Sequence, residues 1–301
     1  MDQSVAITKV HLSRLSKRIL RPINRNPGKW DISGGRTSKI YNDRKKLFLL
    51  TSRDKWRVEQ ARELLKQRIG ETDVESSATM LRYLSDSENG AFANGTGKYI
   101  LTVLCSGDKV IAARNVVSWP EMGVVQNTLI AVDKAHENRG YARLMTAENL
   151  ILGIQGLGEA EWRFVFSELE PGNDFGKIVG ILGKDNAYAL DMPYPLPPLH
   201  ENGQVSSLVP TFFVVSEDTL LEVGGGKRIN DEEAKGILSY IHEGFYGTGK
   251  YIEHVFEEFK HRIRNNSILM KPLDTRDAQQ AVLVHVRSTQ QYFDIKWPAK
   301  N

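Results

Sequence analysis

The stretch Ile130-Ala131-Val132-Asp133-Lys134-Ala135-His136-Glu137-Asn138-Arg139-Gly140-Tyr141-Ala142-Arg143-Leu144 decides the reading of this chain. An apolar, strand-like run ends at Val132, a short polar loop follows, and a helix pattern opens near Gly140. A loop that runs straight into a helix exposes unpaired backbone N–H groups at the positive end of the helix dipole, a ready site for a diphosphate. Gly140 and Ala142 keep bulky side chains away from the point of approach, and Arg139 and Arg143 can add positive charge. Taken alone, the segment fits an ordinary loop-to-helix connection equally well.

Working outward, Val58, Ala61, Leu65 and Ile69 recur at helical spacing, so Asp54 to Ile69 reads as an amphipathic helix ended by Gly70. Thr72 and Glu75 read as a capping box that starts a second helix through Met80, Leu81 and Leu84. Tyr99 to Cys105, the turn Ser106-Gly107-Asp108, and Val110 to Trp119 read as an antiparallel hairpin. Val124 to Val132 is a third strand, about Gly140 to Gly153 a helix, and Trp162 to Glu170 the next strand. The order helix, helix, hairpin, strand, helix, strand predicts a mixed α/β layer with helices on its faces.

The composition bounds the rest. With 301 residues, 41% hydrophobic and 26% charged, the chain has the makeup of a globular protein with a real core. Its longest uncharged stretch, Asn202 to Ser216, contains Pro210 and is too short to span a bilayer. One cysteine, Cys105, excludes a disulfide scaffold and fits a reducing, cytoplasmic setting; on a strand it reads as a small buried hydrophobe. Charge is unevenly spread: residues 1–50 carry +9 and the remainder −6. Such an arm suits tRNA, an acidic carrier protein or an organelle import signal. It equally suits a segment packed on the acidic body, and Leu12, Leu15, Ile19 and Leu20 fit one helical face for that purpose.

The residues Glu137-Asn138-Arg139-Gly140-Tyr141-Ala142 resemble the acyl-CoA-binding motif of the GNAT N-acyltransferase superfamily: Gln or Arg, two residues, Gly, one residue, then Gly or Ala. The departure is Glu137, an acid where Gln or Arg is usual. Glu170-Pro171-Gly172-Asn173-Asp174 and the Tyr- and Pro-rich run from Ala189 to Leu199 are similar to a bacterial branch of the superfamily. The resemblance implies a GNAT-like mixed, mostly antiparallel sheet flanked by helices, over residues 51–216. It is preceded by a basic extension, 1–50, and followed by a mainly helical extension, 217–301, with helices at Asn230 to Tyr246 and Tyr251 to Ile263. It further implies acetyl-CoA or another acyl-CoA as cosubstrate, no metal, and an amine acceptor attacking directly. Ile130, Val132, Glu137 to Arg143 and Asn173 are the implied cosubstrate-binding positions.

Amine acylation needs a base for the ammonium proton, donors on the thioester carbonyl and an acid for the thiolate. The strand before the loop offers Gln126, Asn127 and Thr128 and no ionisable group, so the base is sought on the next strand. There Glu168 and Glu170, two apart, share a face. The Tyr that the superfamily places seven residues after the Asn is absent, since Gly180 stands there; Tyr194, between Pro193 and Pro195, is the substitute acid. Backbone N–H groups around Val132 would supply the carbonyl donors. Two other readings stay open: a transferase using a carrier-protein thioester or aminoacyl-tRNA, and a noncatalytic acyl-CoA-binding module.

Three further signals are set aside. GFYGTGKY at 244–251 is one residue short of a phosphate-binding P-loop, has Tyr251 where Ser or Thr must meet magnesium, and follows a helix instead of a strand. The hexapeptide Gly-Thr-Gly-Lys-Tyr-Ile at 95–100 and 247–252 is one short match and not a repeat. His254, Glu257, Glu258 and His261 share a helix face, opposite the apolar stripe of Ile252, Val255, Phe256, Phe259 and Ile263, and read as solvated; no HExxH spacing occurs.

Overall fold

The computed structural model describes residues 29–31, 37–41, 45–71, 73–170, 175–182, 186–196, 206–214, 219–223, 226–247 and 249–284. Thr72, Asn173 and the helical face of Leu12 to Leu20 lie outside them. The fold is mixed α/β with antiparallel strands and flanking helices, as the sequence predicts, and it divides into two compact units, Met1–Trp162 and Arg163–Asn301.

In the first unit the order is β1 (Lys29–Asp31), β2 (Thr37–Ile40), β3 (Lys46–Leu49), α1 (Lys55–Arg68), α2 (Ser77–Glu88), β4 (Lys98–Ser106), β5 (Lys109–Trp119), β6 (Val124–Val132) and α3 (Tyr141–Gly156). Strands pair antiparallel in chain order, β1 to β6. β4 and β5 are buried on both faces because helices cover each side. Thr102, the register partner of Arg114, accepts from Asn149 of α3 at 2.6 Å, and Ser118 Oγ donates to the Gly153 carbonyl at 2.7 Å. These even-numbered positions therefore face α3. On the opposite face, the Tyr99 N–H donates to Ser87 Oγ of α2 at 2.8 Å and its ring meets Tyr83.

Helix α3 lies close on the sheet because two glycines line its inner face. A β-carbon at Gly153 would come 2.5 Å from Val125 Cγ1, and one at Gly156 would collide with Ser118 Oγ. Its Glu148 is met by two residues of the basic arm. Lys39 Nζ reaches Glu148 Oε1 at 2.6 Å and the Tyr41 hydroxyl donates to the same oxygen at 2.8 Å, all three side chains buried. Part of the arm's charge is thus spent inside the unit, although such a buried pair is weak evidence for net stability.

The second unit comprises β7 (Phe164–Leu169), α4 (Phe175–Leu182), β8 (Ala187–Leu190), β9 (Tyr194–Leu196), β10 (Ser206–Val214), β11 (Leu221–Val223), β12 (Gly226–Asn230), α5 (Asp231–Tyr246), α6 (Gly249–Glu258), β13 (Ile263–Arg264) and β14 (Ser267–Pro272). β10 pairs β7, β8 and β9; β14 pairs β8, β12 and β13; β12 pairs β11, all antiparallel.

Two local expectations are corrected, at the start of α2 and at the end of α6. Helix α2 is capped by Ser76, whose hydroxyl accepts from the Thr79 N–H at 3.1 Å, one turn later than the Thr72-Glu75 reading. The stretch after residue 217 carries β11 to β14 beside its helices. Helix α6 stops at Glu258 instead of running to Ile263, because Asn265 and Asn266, at φ 52° and 50°, turn Ile263 and Arg264 back on β14 as a hairpin. The P-loop-like run is a helix end: Gly247, at φ 63°, is the left-handed cap of α5. Cys105 is buried, which pushes its thiol up from the ordinary value. No helix among the described residues is long and apolar enough to cross a membrane, and no group of His, Cys, Asp or Glu there could hold a metal.

The close approach of α3 predicts that Gly153→Ala destabilises the protein by about 1–3 kcal/mol, the cost of overpacking a tight contact. Urea denaturation with an unchanged m-value is the check.

Candidate functional site

The site grows out of the last residues of β6. The Asp133 N–H donates to the Ile111 carbonyl at 2.8 Å, so the peptide groups at 133 and, by alternation, 131 face β5. Those of Val132 and Ile130 consequently point off the outer edge of β6, which no strand of the same unit pairs among the described residues. Their side chains pack partly against the cluster of Tyr41, Leu47, Leu104, Ile111, Ala112, Leu144 and Met145. Both expected positions therefore offer backbone, while their side chains serve as anchors.

Before this edge the strand bulges. Register shifts between Arg114/Ile130 and Val116/Asn127, and Asn115 holds the extra residues: its Oδ1 accepts from the Leu129 N–H at 2.8 Å and its carbonyl from Thr128 Oγ1 at 3.1 Å. Arg114 donates to Asn127 Oδ1 at 2.6 Å from a fully enclosed position, and burial alone pulls its guanidinium down to about 9. Sequence reading named neither Asn115 nor Arg114; an Asn and an Arg inside an apolar strand were the available signal.

Beyond Val132, Asp133 caps a short turn, Lys134 to His136, by accepting from the Ala135 N–H at 2.9 Å. Lys109 binds its other oxygen at 2.5 Å; that bond first, and the Ala135 bond second, hold the Asp133 carboxyl below the usual range. Asn138 at φ 58° and Gly140 at φ 81° then bend the chain in the left-handed region. Gly140 is the N-cap of α3 and has no side chain to cap with. The first bond of the helix runs from Leu144 N–H to the Gly140 carbonyl at 3.0 Å, so the amides of Ala142 and Arg143 open the helix uncapped by any side chain. Space beside Gly140 is open, with no atom within 4 Å of a would-be β-carbon. Positive φ and an open approach thus both favour glycine here. Arg139 and Arg143 are exposed and, among the described residues, have no carboxylate partner.

Glu137, the departure from the expected pattern, is paired with Arg68 at the C-terminal end of α1. The acid is thereby neutralised by a residue distant in sequence, which the one-dimensional reading missed. A basic last turn of α1, Lys66 and Arg68, was the only hint.

The expected proton-transfer residues belong to the second unit. Tyr194 donates its hydroxyl to Glu168 Oε1 at 2.6 Å. Tyr194 is completely buried, its ring edge-on to Phe166 at 5.9 Å and His242 at 5.1 Å. Burial pushes His242 down to about 3, so it packs as a neutral imidazole. Glu168 is half-buried at the end of β7, and Glu170, just past it, is exposed. The structure brings Glu168 and Tyr194 together, and Glu170 stands one residue past the end of β7. Asn173 lies outside the described residues.

No protein-family model and no curated protein matches the chain. Solved structures do. A protein from Bacteroides thetaiotaomicron assigned to the GNAT family of acetyltransferases is 15% identical, with 67% of this chain and 98% of that one covered at a TM-score of 0.47. The ribosomal-protein-S18-alanine N-acetyltransferase of Escherichia coli is 14% identical over 57% of this chain and 94% of its own, at 0.39. Diaminobutyrate acetyltransferase from Paenibacillus lautus, solved with L-2,4-diaminobutyric acid and coenzyme A, is 15% identical over 60% and 98%, at 0.41. All three are acetyltransferases, the first of them assigned to the GNAT family.

Proposed function

We propose that this protein is an N-acyltransferase that moves an acyl group, acetyl above all, from coenzyme A to an amine by direct attack. The observation that carries the reading is the continuity of two sets of backbone donors. The outer edge of β6 at Ile130 and Val132, which no strand of the same unit pairs among the described residues, leads directly into the uncapped start of α3 at Gly140 to Arg143. An extended amide-bearing arm suits the first and a diphosphate the second. Gly140 leaves the approach open, Arg139 and Arg143 add charge, and Arg68 cancels the acid at Glu137. When bound, the thioester supplies the activated acyl group; the Val132 N–H is the donor proposed for its carbonyl oxygen.

Glu168 is the proposed acceptor of the ammonium proton. Its carboxylate keeps one oxygen fixed by the Tyr194 hydroxyl, which supports a defined orientation for the other. Tyr194 directs its proton at a carboxylate and is enclosed, so the role proposed for it is to position Glu168, in place of the acid role expected from sequence. A carrier-protein or tRNA donor is not favoured by a specific observation, and Lys39 of the arm is already engaged with Glu148.

Calorimetry with acetyl-CoA tests the cradle. Gly140→Ala should weaken binding by ~10-fold, through a left-handed strain of about 1–2 kcal/mol and a methyl in the open approach. Gly158→Ala is the control: Gly158 has φ 64° and equally open space but lies after α3, so the same strain there should leave affinity unchanged. Equal affinity in both variants and wild type would sink the assignment.

A second titration addresses Glu137. Glu137→Gln removes a negative charge beside the loop and releases Arg68, so acetyl-CoA should bind a few-fold more tightly at low salt, with the gain fading as salt screens it. Weaker binding would mean that the carboxylate itself serves the ligand.

For the base, Glu168→Gln should lose ~10²-fold or more in turnover with acetyl-CoA affinity intact. Tyr194→Phe removes a donor that favours the charged carboxylate, so the acid limb of its rate profile should move to higher pH. Full activity in Glu168→Gln would exclude this residue.

A further inference from the structure

The bulge in β6 sets which amides line the outer edge of that strand. Before it, Val116 pairs with Asn127, Val117 with Gln126 and Ser118 with Val125; after it, Arg114 pairs with Ile130, Ala113 with Ala131 and Ala112 with Val132. Thr128 and Leu129 together stand opposite Asn115, one residue more than a regular ladder holds. Without the extra residue the first pairing would run on, so that Leu129 met Arg114 and Ala131 met Ala112. A slip of one residue turns every peptide group and side chain the other way. The amides of Ile130 and Val132 would then face β5, and those of Ala131 and Asp133 would take the outer edge.

Asn115 holds the extra residue, and Tyr99 holds Asn115. The buried Asn115 side chain accepts from the Leu129 N–H through Oδ1 at 2.8 Å, and its backbone carbonyl accepts from Thr128 Oγ1 at 3.1 Å. Its Nδ2 donates to the Tyr99 hydroxyl at 3.1 Å, the one partner of that nitrogen among the described residues. Tyr99 is itself fixed by α2: its N–H donates to Ser87 Oγ at 2.8 Å, its ring stands edge-on to Tyr83 at 5.4 Å, and its side chain is buried. Loss of the hydroxyl would strand a buried amide nitrogen, which costs more than the bond itself contributes. The carboxamide would then lose the restraint that keeps Oδ1 on the Leu129 N–H.

We propose that Tyr99 is a positioning residue for the acyl transfer: through Asn115 its hydroxyl locks β6 in the bulged register that turns the Val132 N–H outward. Leu129 and Val132 are ~10 Å apart along the strand, so Tyr99 acts on that amide through Asn115 and the pairing of β6 with β5. The same chain of bonds ties the seating of α2 to the edge of β6. That the register serves acyl transfer rests on the transferase reading; that Tyr99 holds the register does not.

Amide hydrogen exchange of the full chain, read residue by residue by NMR, tests the lock. In wild type Leu129, Ala131 and Asp133 should be protected. Tyr99→Phe, which keeps the ring, should speed exchange at these three by ~10-fold or more, while Leu47 to Leu49 of β3 exchange as in wild type. Tyr83→Phe removes a hydroxyl that does not bond Asn115 and should leave Leu129 unchanged. Turnover is the second readout: kcat of Tyr99→Phe should fall ~10-fold, with acetyl-CoA affinity within ~2-fold and the acid limb of the rate profile unmoved, which sets it apart from Tyr194→Phe. Free exchange of Leu129 in wild type, wild-type exchange of Leu129 in Tyr99→Phe, or a uniform acceleration that includes β3 overturns the lock. Faster Leu129 exchange with unchanged kcat overturns the positioning role. Should Tyr99→Phe fail to fold, Asn115→Ala decides, and unchanged Leu129 exchange there overturns the proposal. Absence of turnover in wild type would remove the transferase reading and leave the exchange result standing.

Discussion

The seating of α3 on the sheet is the constraint on which the candidate site depends. Gly153 and Gly156 allow the helix to approach Val125 and Ser118 closely, and the Ser118 hydroxyl is bonded to the Gly153 carbonyl. Asn149 reaches Thr102 from the next turn, and Glu148 is gripped from behind by Lys39 and Tyr41. These contacts hold the helix along its length, so its open first turn stays directed past the end of β6. A diphosphate site built from backbone amides has no side-chain adjustment to rely on, and its precision comes from such packing.

The edge of β6 is prepared by a similar economy of side chains. Asn115 satisfies the backbone of the bulge, and Arg114 spans to Asn127, so the strand can change register without leaving buried peptide groups unpaired. Past the bulge, alternate peptides face β5 while those of Ile130 and Val132 face away. Polar residues in the middle of an apolar strand thus maintain the outer edge on which the proposed chemistry depends.

Electrostatics in this protein are settled by partners far apart in sequence. Glu137 would repel a phosphate if it stood alone, yet Arg68 meets it. Lys39 would read as part of a basic arm for an external anion, yet Glu148 takes it. Glu75 was expected to serve as half of a capping box, yet Ser76 caps α2 and Glu75 Oε2 is buried without a hydrogen-bond partner. Counting charges along a chain establishes how many there are. Only the fold assigns them to partners.

Local pattern determined much of the architecture of the first unit: β6 over Val124 to Val132, the hairpin of β4 and β5, and α1 and α3 within a few residues of their ends, whereas β1 to β3, inside the basic extension, were not read. The loop at 137–142 was legible because small residues at fixed spacing before a helix have a direct backbone consequence. Other features were decided by tertiary structure. The Asn265-Asn266 hairpin replaced an expected helical turn because pairing with β14 outweighed local helix propensity. The bond from Tyr194 to Glu168 joins residues 26 apart that only the pairing of β9 and β7 with β10 brings together. The same holds for Arg68 with Glu137. Short-range patterns can be read from sequence because they repeat over neighbouring residues, whereas a single side-chain pairing leaves no period and takes form only when the strands and helices are packed.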